Sequence, residues 1–578
     1  MKLRDRALIG ALTVALIVFS VAALAPTLKV TGGEAAPTEP GSAGRPYVEG
    51  VLGRATNASP FGARSAADRA LVALLFRGLV KLGPGTSIVG DLASSWQVDD
   101  SGRTWTFHLR PDQRWEDGEP ITADDVAFTI DVLSSPVYSG QGGESWRDVT
   151  TTVVDATTVE LHLTTPLGGF LQAATQPIAP VHLLGDVPPD QLPDDPFGQQ
   201  PVASGPYRLV YLDTQQAVLA AMTPVDVTPG APGGPNFRTP RPTDSLASAR
   251  PTPRADFPTP HLSNVEIRYY DDVTRLRADW AAGQLDAAAG LQPADAAALG
   301  TSPGARLVHY PGTTLLAATL DLRPRDKAFQ DPEVRRALLE AVDRDAIVTK
   351  VLHGLGTRAD SLIPPTSAMF DADASKPVAF DPTAARKRLV DAGWKESGGS
   401  WLPKGASDPL VVELLCPEES ANPVAYGVAV EVQQAWRDLG LAVRLVPLPS
   451  AELLGERLAR GNFQVAILPL AIGLDPDLYP LLAASQTRTG GSNVAGLQDP
   501  DLDRLLEAAR TPVSDEERAA AYSALQQRLS SRLYMLPLAF RDDDVVFRDT
   551  VVGPAPRPVG GPGDRYWDVL TWRLADGS

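Results

Sequence analysis

The sequence predicts an α/β protein divided into two or three lobes. Its 578 residues exceed what one hydrophobic core usually holds, and a hydrophobic fraction of 43% is ordinary for a globular chain. Buried-strand patterns at residues 411–415 and 443–446 flank a helical pattern at 424–439. Further helices are predicted after Asp331-Pro332, which precedes an apolar stripe at 334–352, and after a capping box of Ser514 and Glu517. Because strands alternate with helices in this way along much of the chain, an α/β fold is expected.

Residues 74–131 hold the densest pattern, which predicts helix, turn, short strand, helix, hairpin and helix in that order. Trp105 and Phe107 alternate with polar residues, as in a half-buried strand. Thr122 and Asp125 have the spacing of a capping box and predict the start of the last helix. The stretch has no nucleophile elbow, phosphate loop or metal-ligand spacing, so it predicts structure and not chemistry.

The same stretch carries five short motifs in a fixed order. They are the Gly78-Leu79 pair, DLASSW at 91–96, TWTFHLR at 104–110, WEDGEP at 115–120 and TADDVAFT at 122–129. They resemble the signature of the family 5 extracellular solute-binding proteins, the oligopeptide-, dipeptide- and nickel-binding receptors of ABC importers. The resemblance implies the two-lobed periplasmic-binding-protein fold of the large peptide-binding class (type II), with an extra subdomain.

Further similar motifs extend the resemblance from about residue 47 to residue 540, including PVASGPYRLVY at 201–211 and HLSNVEIRYYDD at 261–272. The implied division has a discontinuous first lobe. Lobe I takes residues 46–75, 199–265 and 537–578, its subdomain 76–198, and lobe II 266–536. A segment at 223–260 is dense in Pro, Thr and Gly without apolar periodicity, and we interpret it as a surface insertion.

The N-terminus predicts export. Lys2, Arg4 and Arg6 precede an uncharged run at 7–25, which as a helix would be about 28 Å long and so close to a membrane span. Residues 1–25 are therefore a signal anchor or, since Ala23-Leu24-Ala25 has the form of a cleavage site, a signal peptide. Residues 26–45 are predicted to be a flexible linker.

The body of the chain is accordingly placed on the extracytoplasmic face of the cell membrane, anchored N-terminally, or secreted or periplasmic if the segment is cleaved. No cysteine lies near this segment, so the lipid attachment common in the family is absent.

Composition excludes several function classes. A net charge of −18 argues against nucleic-acid binding, and the single cysteine excludes an internal disulfide and a Cys-rich zinc site. Six scattered histidines lack an H-x-x-x-H pair, so neither a built-in metal nor a cofactor is expected. No hydrolase motif is recognisable, and no enzyme activity or catalytic residue is predicted.

Clusters of aspartates invite a calcium interpretation. They are Asp475, Asp477, Asp499, Asp501 and Asp503. An EF-hand loop needs glycine at its sixth position, and Arg504 follows the last of these aspartates. Solvated helix starts explain them better. His182 is interpreted as a structural histidine.

The resemblance implies a ligand cleft between the lobes. The positions of residues within the motifs indicate which of them are candidates to line it. Asn57 and Ser59 lie in the turn after the first strand, a segment that lies against the cleft in the family. Glu418 and Asn422 occur in CPEESANP, and Asn493 occurs in GGSNVAGL. Each is a candidate ligand contact.

One departure from the family pattern concerns the peptide anchor. Oligopeptide receptors carry an aspartate here that pairs with the α-ammonium of the peptide. Alignment of FQVAILPLAIGLDPDLY on Asp475-Pro476 puts Ile472 at that position, near Leu470. An apolar side chain cannot offset the desolvation of an ammonium group, so capture by the peptide N-terminus is in doubt. Asp475 itself is either a substitute anchor or a turn residue before Pro476.

Two functions follow from these observations. The first is an extracytoplasmic receptor, a monomer, that binds a peptide-like or other extended small-molecule solute in the cleft and delivers it to an ABC permease. The alternative is a receptor-like envelope protein that regulates or scaffolds cell-wall or lipoglycan synthesis without transport. The ordered family motifs from about residue 47 to residue 540 favour the first function, which is our main hypothesis, whereas the missing lipid cysteine, Ile472 and the 223–260 insertion are the features that favour the alternative.

Overall fold

The computed structural model describes residues 45–222 and 259–575, apart from Asp326 and Thr489. The strands are β1 Tyr47–Leu52, β2 Val80–Leu82, β3 Ile88–Gly90, β4 Ala93–Val98, β5 Thr104–Leu109, β6 Val149–Asp155, β7 Thr158–Leu163, β8 Tyr207–Leu212, β9 Gln216–Ala221, β10 Asn264–Tyr270, β11 Ala287–Ala289, β12 Ala305–Leu320, β13 Gly356–Arg358, β14 Lys395–Ser397, β15 Ser400–Leu402, β16 Val411–Pro417, β17 Ala442–Leu448, β18 Val465–Ala471, β19 Met535–Arg548, β20 Val551–Val552 and β21 Arg573–Leu574. The α-helices are α1 Ala66–Leu75, α2 Ala123–Ser134, α3 Phe170–Ala173, α4 Val181–Leu184, α5 Val273–Ala281, α6 Pro293–Gly300, α7 Pro332–Glu340, α8 Arg344–Lys350, α9 Ala372–Ser375, α10 Pro382–Asp391, α11 Pro423–Asp438, α12 Tyr479–Leu482, α13 Pro500–Arg510 and α14 Asp515–Arg532.

A mixed sheet of eleven of these strands runs through the molecule in the order β17-β16-β18-β12-β19-β11-β1-β10-β9-β8, with β13 paired to β19. The two longest strands, β12 and β19, are antiparallel neighbours at its centre. Their ends pair with different partners, because β18 joins the C-terminal half of β12 and β11 joins the C-terminal end of β19. The two strands therefore cross from one lobe to the other.

The crossing has an irregular register. The pairing of β12 with β19 shifts between Tyr310 and Thr314. Gly312 lies in this irregularity, where an added Cβ would sit 2.1 Å from the Arg541 carbonyl oxygen. Only glycine allows the two backbones to approach this closely. We call residues 309–314 and 541–544 the hinge.

Each lobe has its own core. The lobe II core packs α7, α11, α13 and α14 against β16 and β18, with Trp401 and Trp436 fully buried. The lobe I core joins α1 to β10 and to the subdomain, whose four-stranded sheet has the order β4-β5-β7-β6. A third, smaller core around Trp280 covers the other face of the lobe I half of the large sheet.

Several local predictions are confirmed. Thr122 and Asp125 form a capping box at the start of α2, and Asp331 caps α7 with Pro332 in its first turn. The predicted β–α–β run at 411–446 appears as β16, α11 and β17. Ser514 caps α14 through the Glu517 backbone N–H.

Two element predictions differ from the structure. The helix expected between the short strand and the hairpin of residues 74–131 is wrong: β4 stands there, because cross-strand pairing with β5 outweighs local propensity. The helical stripe at 334–352 is divided into α7 and α8, because Asp343 caps a new helix after Glu340.

The lobe boundaries also differ. Strands β10 and β11 pair with β1, so residues 266 to about 310 lie on the lobe I side and not in lobe II. Conversely, Leu538 and Phe540 pack in the lobe II core, so lobe I resumes after Arg541 and not at 537. Both boundaries therefore fall at the hinge.

Two predicted segments lie outside the described residues: the anchor and linker up to residue 44, and the insertion at 223–258. Across residues 45–222 and 259–575, the helices are too short or too polar to span a bilayer.

Candidate ligand-binding site

The subdomain and lobe II are in direct contact. The Gly168 backbone N–H donates a 2.8 Å hydrogen bond to the Arg510 carbonyl oxygen. Next to it, a Cβ added to Gly169 would lie 2.4 Å from the Asp475 carboxylate. These contacts connect the lobe I subdomain directly to lobe II.

Closer to the hinge, the segment after β18 lies along the boundary. The Ile472 N–H donates to the Thr313 carbonyl oxygen at 3.2 Å, which ties the segment to the hinge. The Leu474 side chain packs on Gly560 of the C-terminal segment, since an added Cβ there would be 3.4 Å from Leu474 Cγ. Residues 472–475 therefore form the lobe II side of the junction.

A cavity of about 520 Å³ opens on the lobe I side. Four aromatic residues (Phe76, Trp146, Tyr566 and Trp567) and the polar residues Arg69, Gln141, Gln172, Gln176 and Asp564 line it, with other residues of lobe I and its subdomain. Gly561 to Gly563 also line it, directly after the Gly560 that meets lobe II. Its volume and its mixture of aromatic and convergent polar groups are typical of small-ligand sites.

Hydrogen bonds hold the polar wall of this cavity in place. Arg69 Nη1 donates to Gln141 Oε1 at 3.0 Å and to the Arg64 carbonyl oxygen at 3.1 Å. Asp564 accepts from the backbone N–H groups of Gly560 (2.7 Å) and Gly561 (2.9 Å). Burial raises the pKa of the Asp564 carboxyl and lowers the pKa of the Arg69 guanidinium. The Asp564 carboxyl and the Arg69 guanidinium therefore favour ligand groups of complementary charge or polarity.

A buried network fixes the cavity-lining C-terminal segment to β1. Arg565 Nη2 donates to Glu49 Oε1 at 2.6 Å, and the hydroxyls of Tyr47 and Tyr566 donate to the same carboxylate at 2.9 and 3.1 Å. Burial lowers the pKa of Arg565, but the charge of Glu49 and its neighbours more than offsets this, so the pKa is raised. The Arg565 guanidinium therefore stays charged in the core.

The structure places Asn57 and Ser59 beside the cavity. Asn57 Nδ2 donates to the Pro193 carbonyl oxygen at 3.2 Å, and its Oδ1 accepts from the Ser59 N–H at 2.8 Å. Ser59 is buried, and its hydroxyl accepts from the Phe61 N–H. Pro60, between these residues, lines the cavity. Their side chains thus shape the turn that forms part of the wall.

Three other candidates lie within lobe II. Asn422 caps α11 through the Ala425 N–H, and Glu418 is exposed at the end of β16. Asn493 is buried; its amide donates to the carbonyls of Leu482, Ala483 and Leu497, and its oxygen accepts from the Leu497 N–H. The structure does not bring these three residues to the cavity wall, and their ligand role stays a prediction.

The candidates near the family's peptide anchor have distinct positions. Leu470 and Ile472 are buried in the lobe II core. Asp475 Oδ2 accepts from Arg518 Nη2 at 2.5 Å, an ion pair at the contact with Gly169. A ligand ammonium group would therefore have to compete with Arg518 for Asp475. His182, interpreted as structural, has Nε2 2.8 Å from Asp117 Oδ2.

The sequence analysis did not predict the part of the cavity wall that the C-terminal segment forms. Trp567 lies in RYWDVLTW at 565–572, and Asp564 directly precedes this segment. The segment has no clear helical or strand periodicity. The cluster of three aromatic residues in these eight was the available signal.

Two lobes joined by two crossing strands, with a cavity in lobe I, define a solute-binding protein of the two-lobed kind. Residues 87–493 match the family described as bacterial extracellular solute-binding proteins, family 5 Middle. The chain belongs to that family, and its class of function is that of a solute-binding receptor of an ABC importer.

Known relatives cover most of the chain. Protein XP55 of Streptomyces lividans is 28% identical over 461 residues, 79% of this chain and 76% of XP55. The oligopeptide-binding protein AppA of Bacillus subtilis is 23% identical over 504 residues, 85% of this chain and 86% of AppA.

Solved structures agree in fold. That of Bacillus subtilis AppA in complex with a nonapeptide has a TM-score of 0.69 and 21% identity, covering 92% of this chain and 100% of AppA. NikZ of Campylobacter jejuni in complex with Ni(L-His) has a TM-score of 0.70 and 23% identity, covering 91% and 99%. These similarities confirm the two-lobed fold expected from the sequence.

Proposed function

We propose that the chain binds a peptide-like or other extended solute at the junction of the two lobes and delivers it to a membrane permease. The lobe I cavity forms one wall of the site, and residues 472–475 form the other. The observation that carries the proposal is the cavity of about 520 Å³ in lobe I, whose lining at Gly561 directly follows the Gly560 contact with Leu474 of lobe II. A ligand that touches both walls stabilises the closed arrangement by its differential affinity for it.

The wall chemistry supports an uncharged or weakly charged central contact. Trp146 and Trp567 offer apolar rings, and Gln141 and Gln176 offer amides that donate and accept. Ile472 supplies no charge for an ammonium group, and Asp475 is paired with Arg518. We therefore infer recognition along the solute's length by stacking and amide hydrogen bonds rather than by its N-terminus.

The test starts from solutes that copurify with the chain, identified by mass spectrometry after denaturation. The identified solute is then titrated calorimetrically into the refolded chain and into Trp567→Ala. Loss of one large ring from the wall should weaken binding by about 10-fold or more. Phe380→Ala, an exposed aromatic residue away from the cavity, is the matched control and should bind as the wild type.

An alternative, non-transport role in the envelope is favoured by the Ile472 departure. Crosslinking in intact cells separates the two. A permease as the captured partner supports import, whereas an enzyme of cell-wall or lipoglycan synthesis supports regulation or scaffolding.

We also propose that residues 1–25 tether a monomeric chain to the outer face of the cell membrane. The basic residues before an uncharged run of membrane-spanning length support this. Membrane fractionation with N-terminal sequencing tests it. A soluble chain that begins after Ala25 would indicate a cleaved signal peptide.

A further inference from the structure

On the back of the hinge, one histidine and two aspartates converge. His309 of β12 is the cross-strand partner of Asp544 of β19, and His309 Nδ1 lies 2.8 Å from Asp544 Oδ1. Asp542 is two residues away on the same strand and so shares the face of Asp544. One nitrogen or oxygen atom from each of the three residues lies within 4.8 Å of the others.

This cluster faces away from the ligand cavity. Val546, which shares the face of Asp544, packs in the smaller core around Trp280. The alternate residues Val545 and Phe547 pack in the lobe I core, which also supplies the cavity wall. The cluster and the cavity are therefore on opposite faces of the same sheet.

The charge of the cluster is incompletely compensated. Within residues 45–222 and 259–575, neither Asp542 nor Asp544 forms an ion pair with a lysine or arginine. The neighbouring Arg541 instead donates to the Leu291 carbonyl oxygen at 3.4 Å. Asp544 is 9% exposed, and His309 is the partner that the described residues give its carboxylate. A buried carboxylate whose partner is a half-exposed histidine favours a cation.

We propose that His309, Asp542 and Asp544 bind a divalent transition-metal ion on the back of the hinge. One imidazole and two carboxylates suit Zn²⁺, with ligand atoms roughly 2.0–2.2 Å from the metal. Two ligands of one such ion lie roughly 3–4 Å apart, so small side-chain rotations close the present spacing. His309 is half-exposed, which leaves an entry path and room for water as a fourth ligand.

The ion would connect the two strands on which the lobes turn. Both strands supply ligands: His309 and Asp544 pair on the lobe I side of the register shift and Asp542 lies within it, so their spacing depends on the hinge geometry. Metal binding and lobe closure are then linked, each changing the equilibrium of the other. The site goes beyond the proposed solute function and stands whether or not that function holds.

The test is calorimetric titration of ZnCl₂ into the chelator-treated, tag-free chain. We expect one saturable equivalent in the wild type, and an affinity at least about 10-fold weaker in His309→Ala and in Asp544→Asn. His162→Ala is the matched control, because His162 also lies near a carboxylate, that of Glu160, but in the subdomain. It should bind as the wild type.

Thermal unfolding provides a second readout. Saturating Zn²⁺ should raise the midpoint of the wild type and of His162→Ala, and it should not do so in His309→Ala. If Asp544→Asn does not fold, Asp542→Asn replaces it. Absence of binding to the wild type, or equal binding by the wild type and both cluster variants, would overturn the proposal.

Discussion

Arg565 and Glu49 form a buried ion pair with a 2.6 Å hydrogen bond, although 516 residues separate them in the chain. The pair joins the C-terminal segment that lines the cavity to the first strand of lobe I. The lobe I wall of the ligand site therefore depends on a contact between the two ends of the folded chain.

Breaking this pair should be costly. Glu49→Gln leaves the Arg565 charge buried without its partner, so we expect the free energy of unfolding to fall by about 3–5 kcal/mol. Urea denaturation followed by tryptophan fluorescence measures this. Glu119→Gln, at an exposed position, is the control and should change it by less than about 0.5 kcal/mol. A loss of under 1 kcal/mol at Glu49 would contradict the role assigned to the pair.

Gly312 should tolerate no side chain. An alanine Cβ would meet the Arg541 carbonyl oxygen at 2.1 Å and force the hinge strands apart. We expect Gly312→Ala to lower the unfolding free energy by about 1–3 kcal/mol. The control is Gly455→Ala, where no atom lies within 4 Å of the added carbon. Equal stability of the two variants would show that the close approach at the hinge is not required.

Asp499 should contribute acid-sensitive stability. Burial opposes its ionised form, but hydrogen bonds from Tyr534 and Arg528 outweigh burial, so its pKa is lowered. A depressed folded pKa adds stability above the unfolded pKa of about 4, and this is lost as pH falls through the folded pKa.

Asp499→Asn keeps the N-cap of α13 but removes the charge. Its stability deficit relative to the wild type should therefore be full at pH 7 and should shrink as the pH falls below about 4. Denaturation at a series of pH values checks this, with exposed Asp190→Asn as the control. A deficit that does not change with pH would contradict the assignment.

Cys416 should be inert in the folded protein. Its side chain is fully buried, and burial raises the pKa of its thiol to about 12. We expect no reaction with Ellman's reagent in buffer and one equivalent in guanidinium chloride. Ser94→Cys, on the exposed edge of β4, should add one rapidly reacting thiol. Rapid reaction of the native wild type would show that the lobe II core opens locally.

Local physics explains which elements could be predicted. Two helix starts are determined by residues no more than four positions apart, and both are present in the structure. They are Asp331-Pro332 and the capping box of Thr122 and Asp125. The helix prediction before the hairpin was wrong because β4 forms there by pairing with β5, and its partner residues lie more than ten positions away along the chain. The family motifs supplied what local patterns could not, namely two lobes with crossing strands.

The residues of the candidate sites were harder to predict from the sequence. Asn493 was nominated by motif position, yet four hydrogen bonds to loop backbone now engage its side chain. His309 and Asp544 are 235 residues apart, so no spacing rule reveals their contact. The cavity likewise combines α1, the subdomain and the C-terminal segment, which only the tertiary structure brings together.

The central claim is that the two lobes close on a solute held between them. Small-angle X-ray scattering of the solute-free chain, before and after addition of the copurified solute, tests it most directly. The account predicts that the solute-free chain has the larger radius of gyration and contracts on binding. An unchanged radius with solute demonstrably bound, or a chain that binds no solute at all, would contradict it.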